Sequence, residues 1–151
     1  MSKPRTKIHQ RQVKWDFPVE EIWSLLSSFG ANKAWMPIKS CTIDGHGVGA
    51  TRTVMARGDM TESASFAYET LEVLDDERHH ISYRVQDEHR EGLPVRGFFG
   101  NWKLESQGAN STLLTWWIDA EQVTPEAIPE LIETLGPFMD KSLEGLKRAL
   151  S

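Results

Sequence analysis

The chain has one cysteine, Cys41, in 151 residues. An internal disulfide is therefore excluded, and a reducing compartment is expected. The plain reading of Cys41 is a small buried apolar residue, since no base that would make it a nucleophile is evident. No apolar run approaches the length that spans a membrane. No long basic run is present either. With 22 acidic and 17 basic residues and a net charge of -5, nucleic acid is not an expected partner. The basic residues between Met1 and Lys7 have no apolar segment behind them, which predicts no secretory signal peptide. Internal repeats and low-complexity segments are also missing. The glycine cluster Gly45-His-Gly-Val-Gly49 lacks the strand-to-helix context of a phosphate loop and reads as a turn. These absences predict a soluble cytoplasmic protein. Its length predicts one domain, residues 1–151, that buries about two-thirds of its unfolded-chain surface.

The strongest signal present is an apolar stripe near the end of the chain. Ile128, Leu131, Ile132, Leu135, Phe138, Met139, Leu143, Leu146 and Leu150 recur at three- and four-residue steps. That spacing predicts one face of a long helix, starting between Pro125 and Pro129 with Thr124 as a possible cap. Acidic residues lead and basic ones trail, which complements the helix dipole. Gly136-Pro137 in mid-stripe predicts a kink or a break. At the other end, Ile8 to Phe17 alternates as a strand. Pro18 then opens a helix with Val19, Ile22, Trp23, Leu26 and Phe29 on one face, and Gly30 is expected to stop it. A second helical turn is expected from Asn32 to Trp35, before Pro37.

Six further strands follow between turn signals: Ile38–Asp44, Ala50–Arg57, Phe66–Leu74, His79–Gln86, Pro94–Ser106 and Ser111–Ala120. Gly58 to Ser65 reads as a hairpin tip and Asp87 to Gly92 as a charged loop. Strands in such succession imply hairpins. The expected architecture is α+β: an antiparallel sheet of six or seven strands curved around the terminal helix, with two short helices after the first strand. That arrangement leaves room for a space between helix and sheet.

An ordered set of short signatures carries a resemblance. These are Pro18-Val-Glu-Glu-Ile-Trp23, Trp35-Met-Pro37, Gly47-Val-Gly-Ala-Thr-Arg52, Glu69-Thr-Leu71 with Asp75-Asp76, Ser82-Tyr-Arg-Val85, Leu93-Pro-Val95, Thr112-Leu-Leu-Thr-Trp116 and Leu143-Glu-Gly-Leu-Lys147. Together they resemble the polyketide cyclase/dehydrase-like branch of the SRPBCC superfamily, also called START-like, with its helix-grip fold. The resemblance implies a cavity for a small, largely apolar ligand without fixing one chemistry. This chain departs from the family pattern by an insertion around Asp59 to Ser65, so Glu62 competes with Glu69 for the family glutamate.

Strand parity places Tyr83 with Ile81 and Val85, Trp102 with Phe98 and Leu104, and Trp116 with Leu114 and Ile118. The family pattern implies that Arg52 and Glu69 also point inward. On adjacent strands a buried pair of this kind bridges, either as a structural ion pair or to orient a ligand. The candidate ligand-binding residues are Trp35, Arg52, Glu69, Tyr83, Phe98, Trp102, Trp116, Phe138 and Met139. Each aromatic taken alone is better explained by core packing; their crowding on one face favours a cavity lining. His79, His80 and His89 do not make a metal site, because adjacent strand residues alternate faces; they read as exposed strand residues, and neither metal nor cofactor is expected. Trp117 points outward, as a partly exposed ring or a contact in a homodimer. Three functions stay open: a binder or carrier of a small hydrophobic or aromatic molecule; a cyclase, aromatase or dehydratase in which Glu69 or Tyr83 is the acid or base and Arg52 holds an oxyanion; and a partner-binding module.

Overall fold

The computed structural model describes residues 4–56, 66–86 and 95–151. The expected hairpin tip with its insertion and Glu62, and the loop containing His89, lie outside them. Seven strands form one antiparallel sheet: β1 (Thr6–Trp15), β2 (Ile38–Asp44), β3 (Thr51–Ala56), β4 (Phe66–Asp75), β5 (His80–Val85), β6 (Val95–Gly108) and β7 (Ser111–Val123). Their spatial order is β1-β7-β6-β5-β4-β3-β2, so β1 crosses over to lie beside β7 and the remaining strands are sequential hairpins. Between β1 and β2 run α1 (Val19–Leu26) and a 3-10 segment, Phe29–Ala34. The long helix α2 (Ile128–Leu150) closes the chain. This is the architecture the alternation and the terminal stripe predict.

Three local expectations are corrected. Gly30 does not stop α1, which ends at Leu26; Gly30 lies inside the 3-10 segment, where the Ile43 side chain occupies the space its Cβ would need. The terminal helix is not interrupted at Gly136-Pro137 but runs through both. Pro137 deprives only the Glu133 carbonyl of its donor, and the buried stripe on either side outweighs that loss. Thr124 makes no side-chain cap; a 3-10 turn, Pro125–Ala127, leads into α2 instead.

The inner sheet face follows directly from register. Leu114, Trp116, Ile118 and Ala120 of β7 stand opposite Leu104, Trp102, Gly100 and Phe98 of β6. The row continues through Ile81 and Tyr83 of β5, then Leu71 and Glu69 of β4, then Arg52 of β3. Onto this face α2 buries Met139 and Leu146 completely and Leu143 almost so, while Leu131, Ile132, Leu135 and Phe138 are half-buried. Leu135, for all its central place in the stripe, is thus at the edge of the core. Each fully buried side chain of this size contributes about 1.5–3 kcal/mol.

One contact sets how closely the helix approaches the segment before β2. Gly145 packs against the backbone carbonyl of Trp35, and a Cβ there would overlap that oxygen. Glycine in a helix interior costs about 1 kcal/mol relative to alanine, so its presence needs this reason. Gly145→Ala is therefore expected to destabilise the fold by about 1–3 kcal/mol despite its better helix propensity, because a backbone atom cannot swing aside. Urea denaturation checks this; a variant as stable as the parent would show that the carbonyl is not seated there.

Candidate functional site

Arg52 is the buried cation of the inner sheet face. It is 3% exposed, and its Nε donates to Glu69 Oε1 at 2.6 Å. One terminal nitrogen donates to the Phe29 carbonyl at 2.9 Å. The guanidinium also lies over two rings, 4.0 Å from the centre of Phe29 and 4.7 Å from that of Tyr83. The planar fork suits this combination of carboxylate, carbonyl and π-face, which an ammonium would not match. Arg52 thereby ties the 3-10 segment to β3 and β4. Cys41, half-buried on β2, senses the same charges; burial pushes its thiol up, so it is not poised as a nucleophile.

Tyr83 adjoins this pair. Burial, and then the Glu69 carboxylate, push its hydroxyl up to about 12, against the opposing pull of Arg52. The indoles of Trp102 and Trp116 lie beside the hydroxyl and also counter the rise. That of Trp116 does not reach hydrogen-bond geometry, and its Nε1 is buried without an acceptor among the described residues. Gly100 makes this arrangement possible. It stands directly opposite Tyr83, and the phenol ring lies across it where a Cβ would collide. An isolated glycine inside an aromatic strand was the available signal for a ring crossing the backbone.

A raised tyrosine pKa carries a sign. Folding favours the neutral phenol, so this stability is fully present below pH ~10 and is lost as pH rises toward ~12. Alkaline unfolding is expected to be steeper in the parent than in Tyr83→Phe, by on the order of 1–3 kcal/mol across that window. Phenolate absorbance and circular dichroism followed together test it; identical alkaline profiles would show Tyr83 to be accessible to solvent.

Next to Tyr83 the rings form one array. Trp102 and Trp116 stack with centroids 4.1 Å apart, Trp35 meets Trp102 edge-on at 5.6 Å, and Phe138 meets Trp116 edge-on at 6.2 Å. Met139 is fully buried in the same core, and Phe98 is partly buried against it. The structure thus brings all nine predicted residues to the inner side, with the ring stack in mutual contact. Among the described residues a second buried donor, Trp35 Nε1, also has no acceptor, and the buried Asn32 Oδ1 has no donor.

A surface cleft of about 620 Å³ opens between residues 33–37 and the last turns of α2. Of the nine predicted residues, only Trp35 lines it. Sequence reasoning missed this cleft because its two walls are about a hundred residues apart in the chain.

His79 and His80 are partnered and half-buried rather than exposed, which corrects the expectation for these two. His79 lies in the turn before β5 with a φ of 52°, its ring edge-on to Trp23 and its Nε2 2.8 Å from Glu20. His80 points to the opposite face and stacks on Trp117 at 5.8 Å. The Trp117 indole donates to Asp119 at 3.3 Å, so that ring is engaged within the chain. Among the described residues no group of three or more His, Cys, Asp or Glu could hold a metal ion. No helix there is long and apolar enough to cross a membrane.

The family pattern described as "Polyketide cyclase / dehydrase and lipid transport" matches residues 8–151. The chain belongs to this family. An abscisic acid receptor of Arabidopsis thaliana is 40% identical over 72 residues, a stretch covering 45% of this chain and 33% of the receptor. The chain thus spans about a third of that relative. Among solved structures, a point mutant of norcoclaurine synthase from Thalictrum flavum, in complex with a transition-state analogue, aligns with a TM-score of 0.75. Its identity is 18%, over 99% of this chain and 96% of that one. A Streptomyces aromatase/cyclase aligns with a TM-score of 0.72 and 18% identity, over 97% of this chain and 94% of its own. At such identities the likeness shows the helix-grip fold alone, and that fold is the family's.

Proposed function

We propose that this family member binds a small hydrophobic or aromatic molecule between the sheet and α2, with the Arg52–Glu69 pair at the polar end. The observation that carries the reading is the pair of buried indole donors without acceptors among the described residues, Trp35 Nε1 and Trp116 Nε1, in a largely aromatic interior. An unmet buried donor costs about 1–3 kcal/mol, and a ligand oxygen would remove that cost. Tyr83, kept protonated, is a third donor on the same side. The ligand class that fits is flat and apolar with at least one carbonyl, hydroxyl or carboxylate oxygen. To enter, it parts rings that otherwise touch, and the half-buried start of α2 is the side that yields most readily.

The experiment is a titration with flat aromatic acids and fatty acids, read by tryptophan fluorescence, alongside mass spectrometry of small molecules that co-purify. Saturable quenching is expected, and Trp116→Phe, which keeps a ring but deletes the N–H, is expected to weaken it by roughly three- to tenfold. No co-purifying molecule and no response to any member of the panel would overturn the reading.

The same Tyr83 observation favours a second reading, catalysis of the cyclase or dehydratase kind. A phenol held protonated at neutral pH donates to a developing oxyanion rather than acting as a base. Glu69 would then be the base, although Arg52 already engages it. Conversion of the co-purified molecule to a new product, lost in Tyr83→Phe with binding retained, would support catalysis over carriage.

A further inference from the structure

We propose that the cleft between the 3-10 segment and the end of α2 is a second binding site, for an oxyanion carried on a small apolar body. The helix face that forms one wall reads Lys141, Glu144, Gly145, Arg148, Ala149, the i, i+3, i+4, i+7, i+8 positions of a single stripe. Gly145 and Ala149 leave room beside the longer side chains of Lys141, Glu144 and Arg148. The opposite wall is Lys33 to Pro37, apolar at Met36 and Pro37, with Lys33 at its lip. Contact between Gly145 and the Trp35 carbonyl closes the base.

The charge is the second argument. The chain carries -5 overall, yet this cleft is lined by three cations, Lys33, Lys141 and Arg148, and one carboxylate, Glu144. All four are exposed, and none forms an ion pair with another described residue. Basic residues in a last helical turn ordinarily complement the helix dipole, and that suffices for Arg148. It does not explain Lys33, which is on another element, or Lys141, more than two turns before the helix ends. They converge on a cleft of about 620 Å³, which is within the size range of small-molecule sites. A carboxylate, sulfate or phosphate would sit between Lys33 and the Lys141–Arg148 rim, and its apolar body would lie on Met36 and Pro37. This site is separate from the interior one and does not depend on it.

The test is nuclear magnetic resonance of the full chain, titrated with octyl phosphate, octanoate and octanol. Amide shifts at residues 33–37 and 141–149 are expected with both anions and not with octanol. Lys33→Gln with Arg148→Gln, both at exposed positions, is expected to weaken the anions about tenfold or more, and added salt to do the same. Trp116→Phe should leave these shifts intact, which distinguishes this site from the interior. Equal binding of octanol, shifts confined to the interior, or an unchanged affinity in the double variant would each overturn the proposal. So would binding to anionic lipid vesicles without any response to the monomeric anions, since that would make the cleft's cations part of a membrane-facing surface.

Discussion

Trp116→Ala is expected to lower stability by about 3–5 kcal/mol, a large part of the roughly 5–15 kcal/mol a domain typically has. Trp116 is fully buried, stacked on Trp102 and edge-on to Phe138, so its removal strips contacts from several neighbours together. The cost has two parts, the lost transfer of the ring and the cavity left among residues that cannot collapse to fill it. Trp116→Phe should behave differently. It keeps most of the ring volume and deletes a buried N–H that finds no acceptor among the described residues, so a change below about 1.5 kcal/mol is expected. Urea denaturation measures both. Indole added to the alanine variant should restore part of its stability by filling the hole. A loss of less than about 1 kcal/mol in Trp116→Ala would mean that this ring is not packed against Trp102 in solution.

The second large effect is expected at Arg52. Arg52→Met should cost about 3–5 kcal/mol, because removing one partner of a buried pair strands the other. The stranded groups are the Glu69 carboxylate, whose side chain is 14% exposed, and the Phe29 carbonyl. Adding Glu69→Gln removes the stranded charge and should recover a substantial part of the loss, whereas Glu69→Gln alone strands the guanidinium. A double-mutant cycle by denaturation isolates the coupling. Additive single and double variants would show that the pair is not formed. The same geometry changes how a ligand experiment must be read. Weakened binding in Arg52→Met would report a loosened 3-10 segment as much as a lost ligand contact, so Trp116→Phe and Tyr83→Phe are the cleaner probes of the interior.

The helix and strands were legible because their signals are local. A three-to-four-residue apolar step can only bury its stripe as a helix, and alternation can only bury one face as a strand. The inward sides of Tyr83, Trp102 and Trp116 follow from the same parity. Where local rules misled, packing had the larger energy. Pro137 reads as a helix breaker, yet Met139, Leu143 and Leu146 hold the helix continuous across it. Gly30 reads as a terminator, yet it serves Ile43. His79 and His80 read as exposed, yet Trp23 and Trp117 cover them.

From the chain alone came the class of fold, the antiparallel hairpins, the long closing helix and the set of inward rings, since each rests on contacts between near neighbours or on a two- or four-residue period. Tertiary structure alone decided that Gly100 yields its space to Tyr83 and that Gly145 yields its own to the Trp35 carbonyl. It also decided that Arg52 holds Phe29 as well as Glu69, and that Lys33 faces Lys141 and Arg148 across an open cleft. These meetings join residues tens to about a hundred positions apart. Their geometry depends on strand register and on where the helix comes to rest, and both are set by the summed burial of the whole core rather than by any one stretch of sequence.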